Sequence, residues 1–265
     1  MRIAFWSPFH GTGATAGLLA LAIAISEENK QKVLVTQTHH SMNNLERPLL
    51  GNVEQEEFFR DTGLDALIRY FRSNSVTMEQ ISNCSIRVTK YLHLLAGTKV
   101  ANKESFENAT VQQIVNKIME IADKCFDMVF IDTNSGESAQ SYDVIRDCDM
   151  VIVNLRQNRQ MIEQFLDNEY FEGRKIFYLF SQYDADSKYN LANLRKLYKK
   201  INRENSAGIP HCTAYMDAIC DDRVLDYILS NLDADEDASD YPFIRSIREA
   251  AEMVSDLATK REGKR

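Results

Sequence analysis

Short apolar bursts alternate along this chain with longer stretches in which apolar residues return every three or four positions. Bursts of this kind suit buried parallel strands, and the longer spacing suits helices with one face inward. The pattern predicts strands at Ile3–Ser7, Val33–Thr36, Tyr91–Leu95, Met128–Ile131, Met150–Val153 and Lys175–Ser181, with His211–Ala214 as a last one. It predicts helices over Gly17–Glu28, Leu64–Ser73, Val111–Lys124, Leu191–Arg203 and Pro242–Lys260. Alternation of the two types implies βαβ units: a three-layer α/β fold with a mostly parallel central sheet flanked by helices. There is no internal repeat, low-complexity linker or break in composition. A single domain over 1–265 is therefore expected, with the final helix at about 242–260 and a basic tail at 260–265.

Composition narrows the function classes. The longest apolar run, Leu18–Ile25, is far too short to span a bilayer, and the N-terminus moves straight into a strand rather than a secretory signal. A cytoplasmic protein is expected, at a pole or against the inner face of the membrane at most. The net charge of −8 gives no general attraction to nucleic acid or acidic lipid. Arg195, Lys196, Lys199, Lys200 and Arg203 are read as the solvated face of one helix rather than a DNA contact. Likewise, the apolar stripe Ile244, Ile247, Ala251, Val254 and Leu257 is read as packing on the sheet rather than on a membrane. Cys84, Cys125, Cys148, Cys212 and Cys220 lack metal-ligand spacing and read as free buried thiols. The acidic stretch Asp233–Asp240 lacks the glycine and final Glu of a calcium loop and reads as solvated.

The chemistry concentrates after the first strand, in Ser7-Pro8-Phe9-His10-Gly11-Thr12-Gly13-Ala14-Thr15-Ala16-Gly17. Strand, glycine turn and helix start form a phosphate cradle: glycines let backbone N–H groups face an anion, and the helix terminus adds its positive dipole end. In the usual G-x-x-x-x-G-K-S/T pattern the lysine reaches the outer phosphates and the hydroxyl holds magnesium. Here Gly13 and Thr15 are in place, Ala14 takes the lysine position and Pro8 the first glycine. The second element is Asp132-Thr133-Asn134-Ser135-Gly136 at the end of a predicted strand, where an Asp can hold magnesium and Gly136 can offer an N–H to the outermost phosphate. His10 is a candidate phosphate contact, since a protonated imidazole is a donor, whereas adjacent His39 and His40 are not expected to share one metal ion. A Rossmann reading of Gly11-Thr12-Gly13 with Gly17 stays open, although no acidic residue follows the second strand.

With these landmarks in order, the chain resembles the deviant P-loop ATPases of the MinD/ParA class. Asp132–Gly136 resembles the D-x-P-x-G switch of that class, Cys148-Asp149-Met150-Val151-Ile152-Val153-Asn154 its next strand, Ser181-Gln182-Tyr183-Asp184 its N-R-Y-D segment and Ile209-Pro210 its late I-P. Thr62–Arg69, Leu94–Thr98 and Gly13-Ala14-Thr15 are similar to the TadZ/CpaE branch of pilus-assembly and polar-localisation proteins, here without the receiver-like domain that members often carry. The resemblance implies ATP or ADP with Mg2+ as cofactors. It places the nucleotide on His10, Gly11, Thr12, Gly13, Ala14, Thr15, Ala16, Gly136, Ser181 and Pro210, with Thr15 and Asp132 on the metal. It also implies a homodimer serving other proteins of a localisation or pilus-assembly system.

The departures all remove charge or contacts. Phe9 stands where the class has a lysine that reaches across the dimer, and His10 replaces the glycine after it. Thr36 and Thr38 replace two aspartates, and Ser181 replaces an adenine-contacting Asn. Phosphoryl transfer depends on neutralising charge spread over the outer phosphate, so hydrolysis is expected to be weak or absent. A competent slow ATPase that cycles on membrane or DNA and a scaffold that binds no nucleotide are the alternatives.

Overall fold

The computed structural model describes residues 1–40, 44–51, 61–73, 75–100 and 102–259. Eight strands form one sheet: β1 Arg2–Trp6, β2 Val33–Gln37, β3 Ile86–Arg87, β4 Leu92–Leu95, β5 Met128–Asp132, β6 Met150–Leu155, β7 Ile176–Tyr183 and β8 Ser206–Pro210. Their order is β3-β4-β2-β5-β1-β6-β7-β8, parallel throughout except for the antiparallel β3–β4 pair. The central strands β2, β5 and β6 are buried along their whole length, which is why they read as unbroken apolar bursts.

Helices cover both faces. On one, α1 (Ala14–Glu28) packs with the helices Thr213–Cys220, Val224–Asn231 and Tyr241–Thr259 over Phe5, Val35, Phe130 and Leu179. Because α1 lies between the sheet and that outer layer, it is buried on nearly every side. The helices Gly63–Ser73, Met78–Cys84 and Ala109–Ala122 cover half of the opposite face, and Ala139–Arg146 and Arg159–Leu166 cover much of the rest. The stripe of the final helix is buried through Ile244, Ile247, Ala251 and Val254, as expected for a helix that packs inward. Lys260 and the rest of the basic tail lie outside the described residues. Among the described residues, no helix is long and apolar enough to cross a membrane.

Four expectations are corrected. His211–Ala214 is not a strand: the last strand, at one edge of the sheet, is Ser206–Pro210, with only alternate apolar positions, and Thr213 already begins a helix. The helix from Leu191 stops at Leu197 rather than Arg203. Beyond it, buried Ile201 draws the chain inward and Asn202 and Asn205 exchange turn hydrogen bonds of 2.8 Å and 3.2 Å. Arg195 is spent on the Ser206 hydroxyl and carbonyl at 3.0 Å and 2.7 Å, so the five basic residues share no helical face. The cysteines are free, but only Cys84 and Cys212 are buried, and Cys220 is exposed.

Candidate functional site

The order β5-β1-β6 places the glycine loop, which follows β1, between the ends of its two neighbours. This is a point where successive connections leave a parallel sheet in opposite directions, the usual place for a ligand crevice. Gly11 and Gly13 adopt left-handed conformations with φ of 72° and 92°. Gly13 caps α1 without any side-chain hydrogen bond, and the first turn carries no acidic residue. The terminus of α1 thus keeps backbone donors for an anion. Gly17 brings α1 close to β7, since a Cβ there would stand 2.9 Å from Leu179 Cδ2.

On the β5 side, Phe5 and Gln37 lie in register with Asp132. The Thr15 hydroxyl donates to Asp132 Oδ2 at 2.8 Å. Burial raises the Asp132 carboxyl to about 6, against the opposing pull of His39 and of the Thr15 hydroxyl. A buried carboxylate joined to a hydroxyl is a pair of hard oxygens, and its environment disfavours negative charge without a cation. Both features fit magnesium. His39 is buried, with Nδ1 3.2 Å from the Asp132 carbonyl, whereas His40 turns to the Val100 carbonyl at 2.7 Å. The two histidines do not converge.

The segment after β5 is pinned to the loop strand. Thr133 donates through its hydroxyl to the Phe5 carbonyl at 2.8 Å, and the Trp6 indole donates to the Gly136 carbonyl at 3.0 Å. The Gly136 N–H, expected to face a phosphate, instead donates to the Ser7 carbonyl at 2.8 Å. In this conformation it is not available to a ligand. His10 is exposed beside it, its Nε2 3.8 Å from where a Gly136 Cβ would stand.

On the β6 side lies a pocket of about 240 Å3, bounded by the loop, by Ser181 and Gln182 near the end of β7, and by Ile209–Cys212 at and just after the end of β8. Gly11, Thr12, Gly13, Ala16, Ser181 and Pro210 line it, so the structure brings together most of the residues singled out in the sequence. Ala14 is buried, and Thr15 faces Asp132 on the opposite side of the loop. Ser181 lies in the pocket wall, but its hydroxyl donates to Asn154 Oδ1 at 2.8 Å. The Asn154 amide in turn donates to the Thr12 carbonyl at 2.6 Å. A trans peptide sets the Thr12 carbonyl and the Gly13 N–H in opposite directions, so this anchor turns the Gly13 N–H away from Asn154.

Asn154 and Arg156, both from the end of β6, are the participants that sequence reasoning missed. The Arg156 guanidinium lies across the loop, donating to the Gly11 carbonyl at 3.2 Å and to Gln182 Oε1. The only signal for either was a polar residue closing an apolar burst. Its meaning depends on the pairing of β6 with β1, which linear spacing does not disclose.

No family model matches the chain, and no curated protein matches it. Solved structures do. A ParA family ATPase from Chlorobium tepidum superposes with a TM-score of 0.72 at 15% identity, over 95% of this chain and 98% of that one. The septum site-determining protein MinD from Pyrococcus horikoshii, complexed with Mg-ADP, gives 0.71 at 16% identity over 97% of both chains. The MinC:MinD cell division complex of Aquifex aeolicus gives 0.70 at 14% identity, over 100% of this chain and 98% of that one. The eight-stranded, helix-flanked sheet has the ParA/MinD P-loop NTPase fold.

Proposed function

We propose that this chain binds ATP or ADP with Mg2+ on the loop Gly11–Ala16, hydrolyses ATP weakly or not at all, and acts as a nucleotide-dependent dimer that positions other proteins. The observation that carries this reading is the Thr15–Asp132 hydrogen bond of 2.8 Å, which joins the start of α1 to the end of β5 beside an uncapped, left-handed glycine turn. A hydroxyl and a carboxylate meeting next to an anion cradle are what a magnesium–phosphate complex requires. When bound there, magnesium would neutralise charge on the phosphate chain. Thr15 and Asp132 would hold it, and the backbone from Gly11 to Ala16 would orient the phosphates.

Weak turnover is supported by what surrounds that pair. Ala14 brings no cation, and Thr36 and Gln37 at the end of β2, with Thr38 just after it, bring no carboxylate. The Thr36 hydroxyl is buried without a hydrogen-bond partner among the described residues, and the Thr38 amide is tied to the Asp132 carbonyl at 3.2 Å. Service to other proteins is proposed by analogy with MinD, which is found with MinC in one matching structure, and dimer formation belongs to the same reading. Within that class, the TadZ/CpaE branch is the reading favoured by Gly13-Ala14-Thr15 and Leu94–Thr98. Such a protein uses differential affinity for nucleotide in two assembly states as its output.

Titration with a fluorescent ATP analogue, with magnesium and with chelator, tests the binding. Saturable binding that magnesium strengthens and Thr15→Ala weakens is the expected result; a flat titration overturns it. Phosphate release under multiple turnover should not exceed that of Thr15→Ala, and clear magnesium-dependent release above that control would make the protein a competent ATPase.

A further inference from the structure

The loop has lost its lysine at Ala14, yet the structure places another full cation beside it. Arg156 extends from the end of β6 over the pocket wall, and among the described residues its guanidinium meets only neutral acceptors, the Gly11 carbonyl and the Gln182 side-chain oxygen. Among the described residues, no carboxylate pairs with it. The pocket lining holds no Asp or Glu either, in a chain whose net charge is −8. Arg156 is partly withdrawn from water, which disfavours its charge, and among the described residues no carboxylate offsets that cost. Arginine presents five N–H donors in a planar fork matched to phosphate oxygens, and the two contacts seen use only part of that capacity.

We infer that Arg156 is the cation of this site, binding the phosphate chain of the ligand in place of the lysine missing from the loop. The inference rests on the nucleotide reading for its ligand, but the interaction itself requires only a polyphosphate. The sheet order then gives the loop two unlike flanks: Thr15 and Asp132 for a metal on the β5 side, and Arg156 for phosphate oxygens on the β6 side. On binding, charged oxygens replace the Gly11 carbonyl and the Gln182 amide as acceptors, and hydrogen bonds to a charged group are stronger than those to neutral ones. Gln182 holds a left-handed backbone, φ 51°, at the point where it receives Arg156.

Calorimetric titration of wild type, Arg156→Ala, Arg156→Lys and Arg156→Gln with ATP, adenosine and inorganic tripolyphosphate tests the assignment. Arg156→Ala and Arg156→Gln should each weaken ATP and tripolyphosphate by about 10–100-fold, while Arg156→Lys retains most of the affinity. Adenosine should bind all four proteins alike. Gln keeps polar contacts without charge, so the Gln/Lys pair decides the matter even if the Ala variant folds poorly. Wild-type affinity for tripolyphosphate in Arg156→Gln would overturn the inference, as would an equal loss for adenosine or a wild type that binds neither ATP nor tripolyphosphate. Tripolyphosphate binding that depends on Arg156, without ATP binding, would uphold the inference and overturn the nucleotide reading.

Discussion

Thr15 and Asp132 are 117 positions apart in the chain, yet the hydroxyl of one donates to the carboxylate of the other at 2.8 Å. The contact exists because β1 pairs with β5, which sets the loop after one strand beside the end of the other. Asp132 is 1% exposed, and burial disfavours its charge. The protein keeps an acidic group where an uncharged one would be more stable, a usual sign that the group serves binding rather than folding.

Asp132→Asn keeps the size and the hydrogen bond from Thr15 while removing the charge. It should stabilise the ligand-free protein, on the order of 2 kcal/mol at neutral pH, and abolish any gain in nucleotide affinity from magnesium. Urea denaturation and a titration with and without chelator check the two halves. A variant less stable than wild type would show that the carboxylate is a structural member of the core.

The strands and the loop were legible because each lies in an unbroken stretch: an apolar burst, then glycines, then helical spacing. Asp132 was legible for the same reason, as an acidic residue closing the burst Met128–Ile131. The two edge strands were not: Ile86–Arg87 is only two residues long, and in Ser206–Pro210 the apolar Ala207 and Ile209 alternate with Ser206, Gly208 and Pro210 rather than forming a burst. Gly136 was found, but the donation of its N–H to Ser7 depends on tertiary pairing. Arg156 opens a polar run, Arg156-Gln157-Asn158-Arg159-Gln160, and is brought against the loop only through the order of β6, β1 and β7. Its chemistry is local, but its address is topological.

Asn154 is buried between Ser181 and the Thr12 carbonyl, with hydrogen bonds of 2.8 Å and 2.6 Å. Asn154→Ala leaves that carbonyl without its donor and should cost about 1–3 kcal/mol. It should also speed amide hydrogen exchange in the loop at Gly13. Ser181→Ala removes a single hydroxyl that Asn154 already occupies, so it should cost about 1 kcal/mol and leave the ratio of ATP to GTP affinity unchanged. A change in that ratio would show the hydroxyl reading the base.

Gly17 lets α1 approach β7 closely: an added Cβ would meet Leu179 Cδ2 at 2.9 Å and Asn154 Oδ1 at 3.4 Å. Alanine favours a helix over glycine by up to about 1 kcal/mol, but overpacking a closed core costs about 1–3 kcal/mol. Gly17→Ala should therefore be destabilising, with a nucleotide affinity that falls with it as Asn154 is displaced. Combined with Leu179→Ala, its cost should be smaller than in the wild-type background, a non-additivity that a double-mutant cycle measures.

His93, on β4, gives the fold an acid limit distinct from the site. Its Nδ1 is buried without a hydrogen-bond partner among the described residues, and its ring meets Phe126 edge-on at 5.1 Å. Burial lowers its pKa from 6.5, and Lys32 and Arg87 push it the same way. The folded protein thus binds this proton less readily than the unfolded chain. Its contribution is full above the unfolded value near 6.5 and is lost as pH falls from there towards the folded pKa, at no more than about 1.4 kcal/mol per pH unit. His93→Leu should flatten this part of the acid limb while leaving stability at pH 7.5 equal or higher. Urea denaturation of both proteins at about pH 5, 6 and 7.5 measures the difference. Parallel losses in the two proteins would assign the acid sensitivity to other groups.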